Sequence, residues 1–171
     1  MNATNLNDNE YASFYSSYVK RLGNADLLEV LKTSELEVLD SLSDLPEEKY
    51  LYRYAEGKWT IKELLLHIID AERVFTYRAL RFARKDSTDL PGFDEDWYVD
   101  HCYANERAAS DLLKEFSEVR AATIRLFKSF SEETLMLSGT ANGNAMSVRA
   151  LGFIIAGHAL HHLQIIKERY L

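Results

Sequence analysis

Cysteine, proline and glycine are all scarce in this chain, and each scarcity removes a class of structure. A single cysteine, Cys102, leaves no intrachain disulfide to form, which fits a reducing compartment. Two prolines and seven glycines in 171 residues leave helical periodicity almost unbroken. No stretch approaches the roughly 18–20 consecutive apolar residues that cross a bilayer. The N-terminal run MNATNLNDNEYASFY has no basic cluster and no apolar core, so it does not read as a secretory signal. Together these absences predict a cytoplasmic protein with no membrane partner.

Positive charge is also in deficit. Twenty Lys and Arg stand against 27 Asp and Glu, a net charge of −7. Nucleic-acid binding depends on clustered cations that neutralise phosphates. The densest basic stretch, Arg78 to Lys85, reads as the solvated face of a helix, so no nucleic acid is expected as a partner.

What the chain does have is apolar bulk. Hydrophobic residues make up 47%, with eight Phe and ten Tyr, and a chain of this size buries about two thirds of its unfolded surface. It needs no metal merely to fold, and its length suits one domain, 1–171. No alternating apolar and polar window is long enough to demand a sheet. The expected class is all-α, a four-helix bundle with a short extra N-terminal helix.

The helices are expected over Ala25 to Ser43, with Asn24 as N-cap, and from Thr60 to about Arg84. Two more are expected over Ala104 to Phe130 and from Ser147 almost to Leu171; the short one spans Asn9 to Arg21. The second has the sharpest start. Thr60 and Glu63 form a T-x-x-E capping box, with Trp59 and Leu64 at the positions of a hydrophobic staple. Lys85 to Tyr103 and Ser138 to Met146 read as loops, marked by Pro91-Gly92 and Asn142-Gly143. Loop lengths do not decide which helices run up and which run down.

The histidines fall where surface residues should not. At spacings of three and four, the last helix gives a seam of Val148, Leu151, Ile155, His158, His162 and Ile165. His158 and His162 stand one turn apart, offset by about 40°, so their rings can converge. The second helix offers Leu64, His67, Ala71 and Val74, which turns His67 inward. A lone histidine on an apolar face is usually a hydrogen-bonded core residue. Two on one seam and a third on another helix shift the balance toward a divalent metal site with an open ligand position.

Other polar residues carry less. His161 lies off the seam and is expected to be a bystander or a group supporting the ligands. The H-x-x-x-H spacing of His158 and His162 lacks the metalloprotease glutamate, since Ala159 takes its place. Asp70, three residues after His67, is the candidate catalytic acid that could orient an imidazole or a bound ligand, although an ordinary ion pair with Arg73 is its stronger reading. Glu72 lies further round the helix. Asp94, Glu95, Asp96 and His101 sit on a long loop of the kind that often covers bundle-end sites, although an acidic solvated loop is the default reading. Cys102 has no base partner, and Tyr52 and Tyr54 are expected only to line a pocket.

The run Gly57-Lys58-Trp59-Thr60-Ile61-Lys62-Glu63, followed by His67 and Asp70-Ala71-Glu72-Arg73, resembles the DinB-like (DinB/YfiT-like) family of candidate metalloenzymes. So do Leu90-Pro91-Gly92-Phe93-Asp94-Glu95-Asp96, Gly139-Thr140-Ala141-Asn142-Gly143, and Gly157-His158-Ala159-Leu160-His161-His162-Leu163. The resemblance covers nearly the whole chain. It implies an up-down-down-up bundle with the metal on His67, His158 and His162, and suggests a homodimer. It also implies a hydrolase or a small-thiol-dependent transferase, some relatives acting with bacillithiol or mycothiol on a small molecule. Three imidazoles accept zinc, nickel, iron, cobalt or manganese; zinc or nickel is expected first. The alternative is a non-catalytic bundle with a structural or vestigial metal site.

Overall fold

The computed structural model describes residues 1–171. Its frame is four long helices: α2 (Leu27–Leu42), α3 (Ile61–Ala83), α5 (Ala109–Lys128) and α7 (Val148–Arg169). Helices α1 (Ser16–Lys20), α4 (Glu95–Asp100) and α6 (Glu132–Leu135) are short, and β1 (Ser138–Ala141) pairs antiparallel with β2 (Asn144–Ser147).

Side-chain partners fix the directions of the helices. Arg120 of α5 reaches Glu72 of α3, and Thr123 meets Thr76 a turn later, so these two helices run parallel. Ser117 and Arg120 meet Glu35 and Leu31 of α2 in reverse order, so α2 and α5 are antiparallel. Tyr170 closes α7 against Trp59, just before α3 begins, which makes α3 and α7 antiparallel. The order is therefore up, down, down, up. The long connections are a consequence, because parallel α3 and α5 need a chain that returns along the bundle.

Local chemistry explains the helix starts. Thr60 Oγ1 accepts from Glu63 N at 3.1 Å, while the Glu63 carboxylate accepts from Thr60 N at 2.7 Å. A cap of this kind contributes about 1 kcal/mol. Ser147 caps α7 through Ala150 N. The cap of α2 is Asp26 and not Asn24, because the Asp26 carboxylate reaches Leu28 N and Glu29 N. Asn24 instead accepts from Asn2 and Thr4. Helix α5 begins at Ala109, five residues later than expected. Ala109 N is capped across the molecule by Glu47, a partner that local spacing does not reveal.

Two expected loops hold structure. The segment 138–147 is a β-hairpin, whose strands are too short to show a clear alternation. Its turn places Asn142 and Gly143 at φ +51° and +69°, angles favoured by asparagine and glycine. Asp94 caps α4 within the other segment. Leu90 hydrogen-bonds to Thr140 and Asn142, tying that segment to the hairpin. The expected helix Asn9 to Arg21 is reduced to α1 and two 3₁₀ turns.

Helix α7 is the axis of the core. Every residue from Val148 to Ala159 is buried, so this stretch is enclosed on all sides by α1, α2 and α3. Two apolar clusters fill the interior, one around Phe82, Phe127 and Phe153, the other around Leu65, Phe116 and Ile166. Each fully buried large side chain contributes roughly 1.5–3 kcal/mol. Among these side chains, Arg120 donates to both Glu72 oxygens, to Leu31 O and to Ser34 Oγ. Glu72, weighed as a site acid, is a structural counterion instead.

Candidate metal centre

His67 sits two turns into α3, and His158 and His162 sit one turn apart on α7. Because the helices are antiparallel and in contact, the three rings face one another. His158 Nε2 lies 3.0 Å from His67 Nε2 and 3.0 Å from His162 Nε2. The three ligand atoms all fall within 4.8 Å of one another. His67 and His158 are buried and His162 half-buried. The structure thus brings together all three expected residues and leaves His161 outside, against the ring of Tyr18 at 5.0 Å.

Electrostatics favour neutral rings. Burial lowers the pKa of His67 to about 4. Burial also puts His158 and His162 well below the usual imidazole value, and the neighbouring imidazoles add to it. Neutral imidazole is the form that ligates metals.

A single lone pair or proton on His158 Nε2 cannot make two linear hydrogen bonds. One cation at the shared focus would engage all three rings. Nitrogens bonded to one ion at about 2.0–2.1 Å stand about 3.0–3.4 Å apart; the two 3.0 Å spacings to His158 Nε2 match this, while the 4.8 Å limit of the set leaves His67 and His162 to draw closer on binding. His162 Nδ1 is buried without a partner. Its ring is held by packing, edge-on to His67 and His158.

A cavity of about 260 Å³ opens on the cluster, lined by aromatic residues including Tyr15, Tyr18, Trp59, Phe75 and Phe93. The sequence did not mark these residues as cavity lining; they come from the N-terminal segment, the turn before α3, α3 itself and the α3–α4 connection. The sequence also misplaced Arg78. This residue is not on a solvated face but is 3% exposed on the cavity wall, donating to Pro91 O at 3.0 Å. The connection and the hairpin fold over that turn of α3, and no helical pattern reports such a cover.

The acids separate. Glu95 lines the cavity. Asp94 caps α4, and Asp96 borders a different pocket with Lys58 and Glu63. Asp70 faces another pocket, beside Arg73, Arg107 and Glu115. Burial raises its pKa against the opposing pull of Arg73. His101 Nδ1 bonds Trp97 O. The Cys102 thiol, half-buried and outside the histidine cavity, has its pKa raised by burial. Tyr54 borders a neighbouring pocket with His162 and Tyr170, whereas Tyr52 stands exposed against Tyr170.

An up-down-down-up bundle with three histidines from two antiparallel helices defines a class of metal-binding-type helical proteins. A family model described as the DinB superfamily matches residues 31–166, and the chain belongs to that superfamily. An Oceanobacillus iheyensis protein, named as a candidate metal-dependent hydrolase, is 27% identical over 142 residues, covering 82% of this chain and 81% of the relative.

Among solved structures, YfiT from Bacillus subtilis is similar at TM-score 0.72 and 14% identity, covering 83% of this chain and 82% of YfiT. It is described as a metal-dependent hydrolase candidate with an unusual four-helix bundle topology. A mycothiol-dependent maleylpyruvate isomerase is similar at TM-score 0.66 and 13% identity, covering 80% of this chain. The match spans 58% of that enzyme. No helix here is long and apolar enough to cross a membrane.

Proposed function

We propose that the protein is a metal-dependent enzyme holding one divalent ion on His67, His158 and His162, with zinc or nickel the first choices. One observation carries the reading: three imidazoles cluster at a point that opens into a lined cavity. Three protein ligands leave room for a small molecule on the cavity side.

When bound, such an ion supplies Lewis acidity and favours deprotonation of a water or thiol ligand. The chain's residues do the rest. Trp59, Tyr18 and Phe75 pack against the imidazoles and exclude solvent from them. Glu95 is the one carboxylate of the cavity lining, and we assign it the role of proton acceptor. Asp70 opens to a separate pocket and is not assigned that role.

Hydrolysis is the leading reaction class, supported by the name of the Oceanobacillus relative. Transfer of a small thiol is the second, supported by the mycothiol-dependent neighbour.

Elemental analysis of protein refilled with zinc or nickel tests the metal. One ion per chain is expected for wild type and far less for His67→Gln or His162→Gln. Equal occupancy in wild type and both variants would overturn the assignment. A panel of ester, amide and thiol-acceptor substrates then separates the two reaction classes.

A further inference from the structure

We propose that Arg78 is an oxyanion subsite and that the substrate is a small organic acid docking its carboxylate, phosphate or sulfonate there. This rests on the reading of the histidine cluster as the reactive centre.

The chain buries four side-chain cations, Lys62, Arg78, Arg120 and Arg149. Three have a carboxylate: Lys62 pairs with Glu47, Arg120 with Glu72 and Arg149 with Glu10. Arg78 forms no ion pair, although it is 3% exposed. An arginine cannot shed its proton to escape the cost of burial, and an uncompensated buried charge is expensive. Tyr15 and the Phe75 ring touch the guanidinium, but no carboxylate of the chain neutralises it, so the counter-charge is sought in a ligand.

The geometry supplies a place for that ligand. Of five guanidinium N–H donors, one is used by Pro91 O and another is directed at the Tyr15 hydroxyl, which leaves donors for an anion. Arg78 lines the same cavity as the three histidines. Its guanidinium carbon lies 5.8 Å from the centre of the Phe75 ring, and that ring meets His158 edge-on at 6.1 Å. Phe75 therefore stands between the cation and the histidines. A molecule lying along it places an anionic end on Arg78 and its reacting end at the imidazoles. The planar fork suits a two-oxygen anion. Asn142 and Tyr15 add polar groups to the cavity wall. Glu95, the one carboxylate of the lining, is exposed and unpaired with Arg78. A cavity of about 260 Å³ admits only a small molecule.

Sulfate is the probe. Binding is followed by Trp59 fluorescence and thermal shift, with chloride at matched ionic strength as control, on chelator-treated and on zinc-refilled protein. Saturable sulfate binding is expected in both forms. Arg78→Met is expected to weaken it about tenfold or more. Arg78→Lys, which keeps the charge but loses the fork, should fall between. His162→Gln should lose metal yet keep sulfate binding in the chelator-treated form, so failure of the metal reading and failure of the anion subsite register separately. No saturable binding by wild type, or unchanged affinity in Arg78→Met, would overturn the proposal. So would an Arg78→Met protein that cannot fold, since the guanidinium would then be a structural contact.

Discussion

His67 Nε2 lies 3.0 Å from His158 Nε2 although 91 positions separate the two residues in sequence. Two buried imidazoles at this range, with a third from His162, make stability depend on what lies between them. A ligand that binds only the folded state stabilises it by about 2.7 kcal/mol at 100-fold excess over its Kd. For a chain of this length that raises Tm by roughly 5–10 °C. Differential scanning calorimetry with saturating zinc, and again with chelator, should show this difference for wild type. His162→Gln should show almost none.

The Arg120–Glu72 pair ties three helices, with Arg120 0% and Glu72 2% exposed. Removing one partner leaves the other charged and buried. Glu72→Ala is expected to cost about 3–5 kcal/mol in urea unfolding. The double variant Glu72→Met with Arg120→Met should recover much of that loss, because no charge is then stranded. A double variant less stable than Glu72→Ala would contradict this account.

Gly157 permits α1 to lie on α7 beside the histidines. A Cβ there would stand 2.2 Å from the carbonyl oxygen of Tyr18, and backbone cannot yield as a flexible side chain can. Gly157→Ala should destabilise by about 1–3 kcal/mol and loosen the segment carrying Tyr15 and Tyr18. Faster limited proteolysis before residue 25 is the readout. Wild-type cleavage rates would refute the packing role.

Glu10 holds the N-terminal segment onto the start of α7. Burial alone would raise its pKa. Hydrogen bonds from Arg149, the Asn7 backbone and Ser147 outweigh burial and lower it to about 2. A carboxyl with a depressed folded pKa contributes stability above its unfolded value, here 4.5. That contribution declines as pH falls from 4.5 toward 2. Acid titration of stability should be shallower in this window for Glu10→Gln than for wild type. Identical slopes would remove Glu10 from the acid response.

Much of this molecule was legible along the chain. Helix α3 announced itself through the Thr60–Glu63 box, α7 through Ser147 and its apolar run, and the three histidines through spacings of three and four. These are local signals, because helix geometry fixes which face a residue occupies before any partner is known. The hairpin, the Asp26 cap and the Glu47 cap on α5 were not legible. Either several residues could serve or the partner lay far away in sequence.

The sequence by itself therefore determined the helical class and the inward turn of His67, His158 and His162, since periodicity and burial follow from a 3.6-residue repeat. Only the tertiary structure decided the helix directions, the meeting of the imidazoles and the isolation of Arg78. Those depend on which connections fold over which turns, and on where a counter-charge is missing. Patterns within one helix carry no record of either.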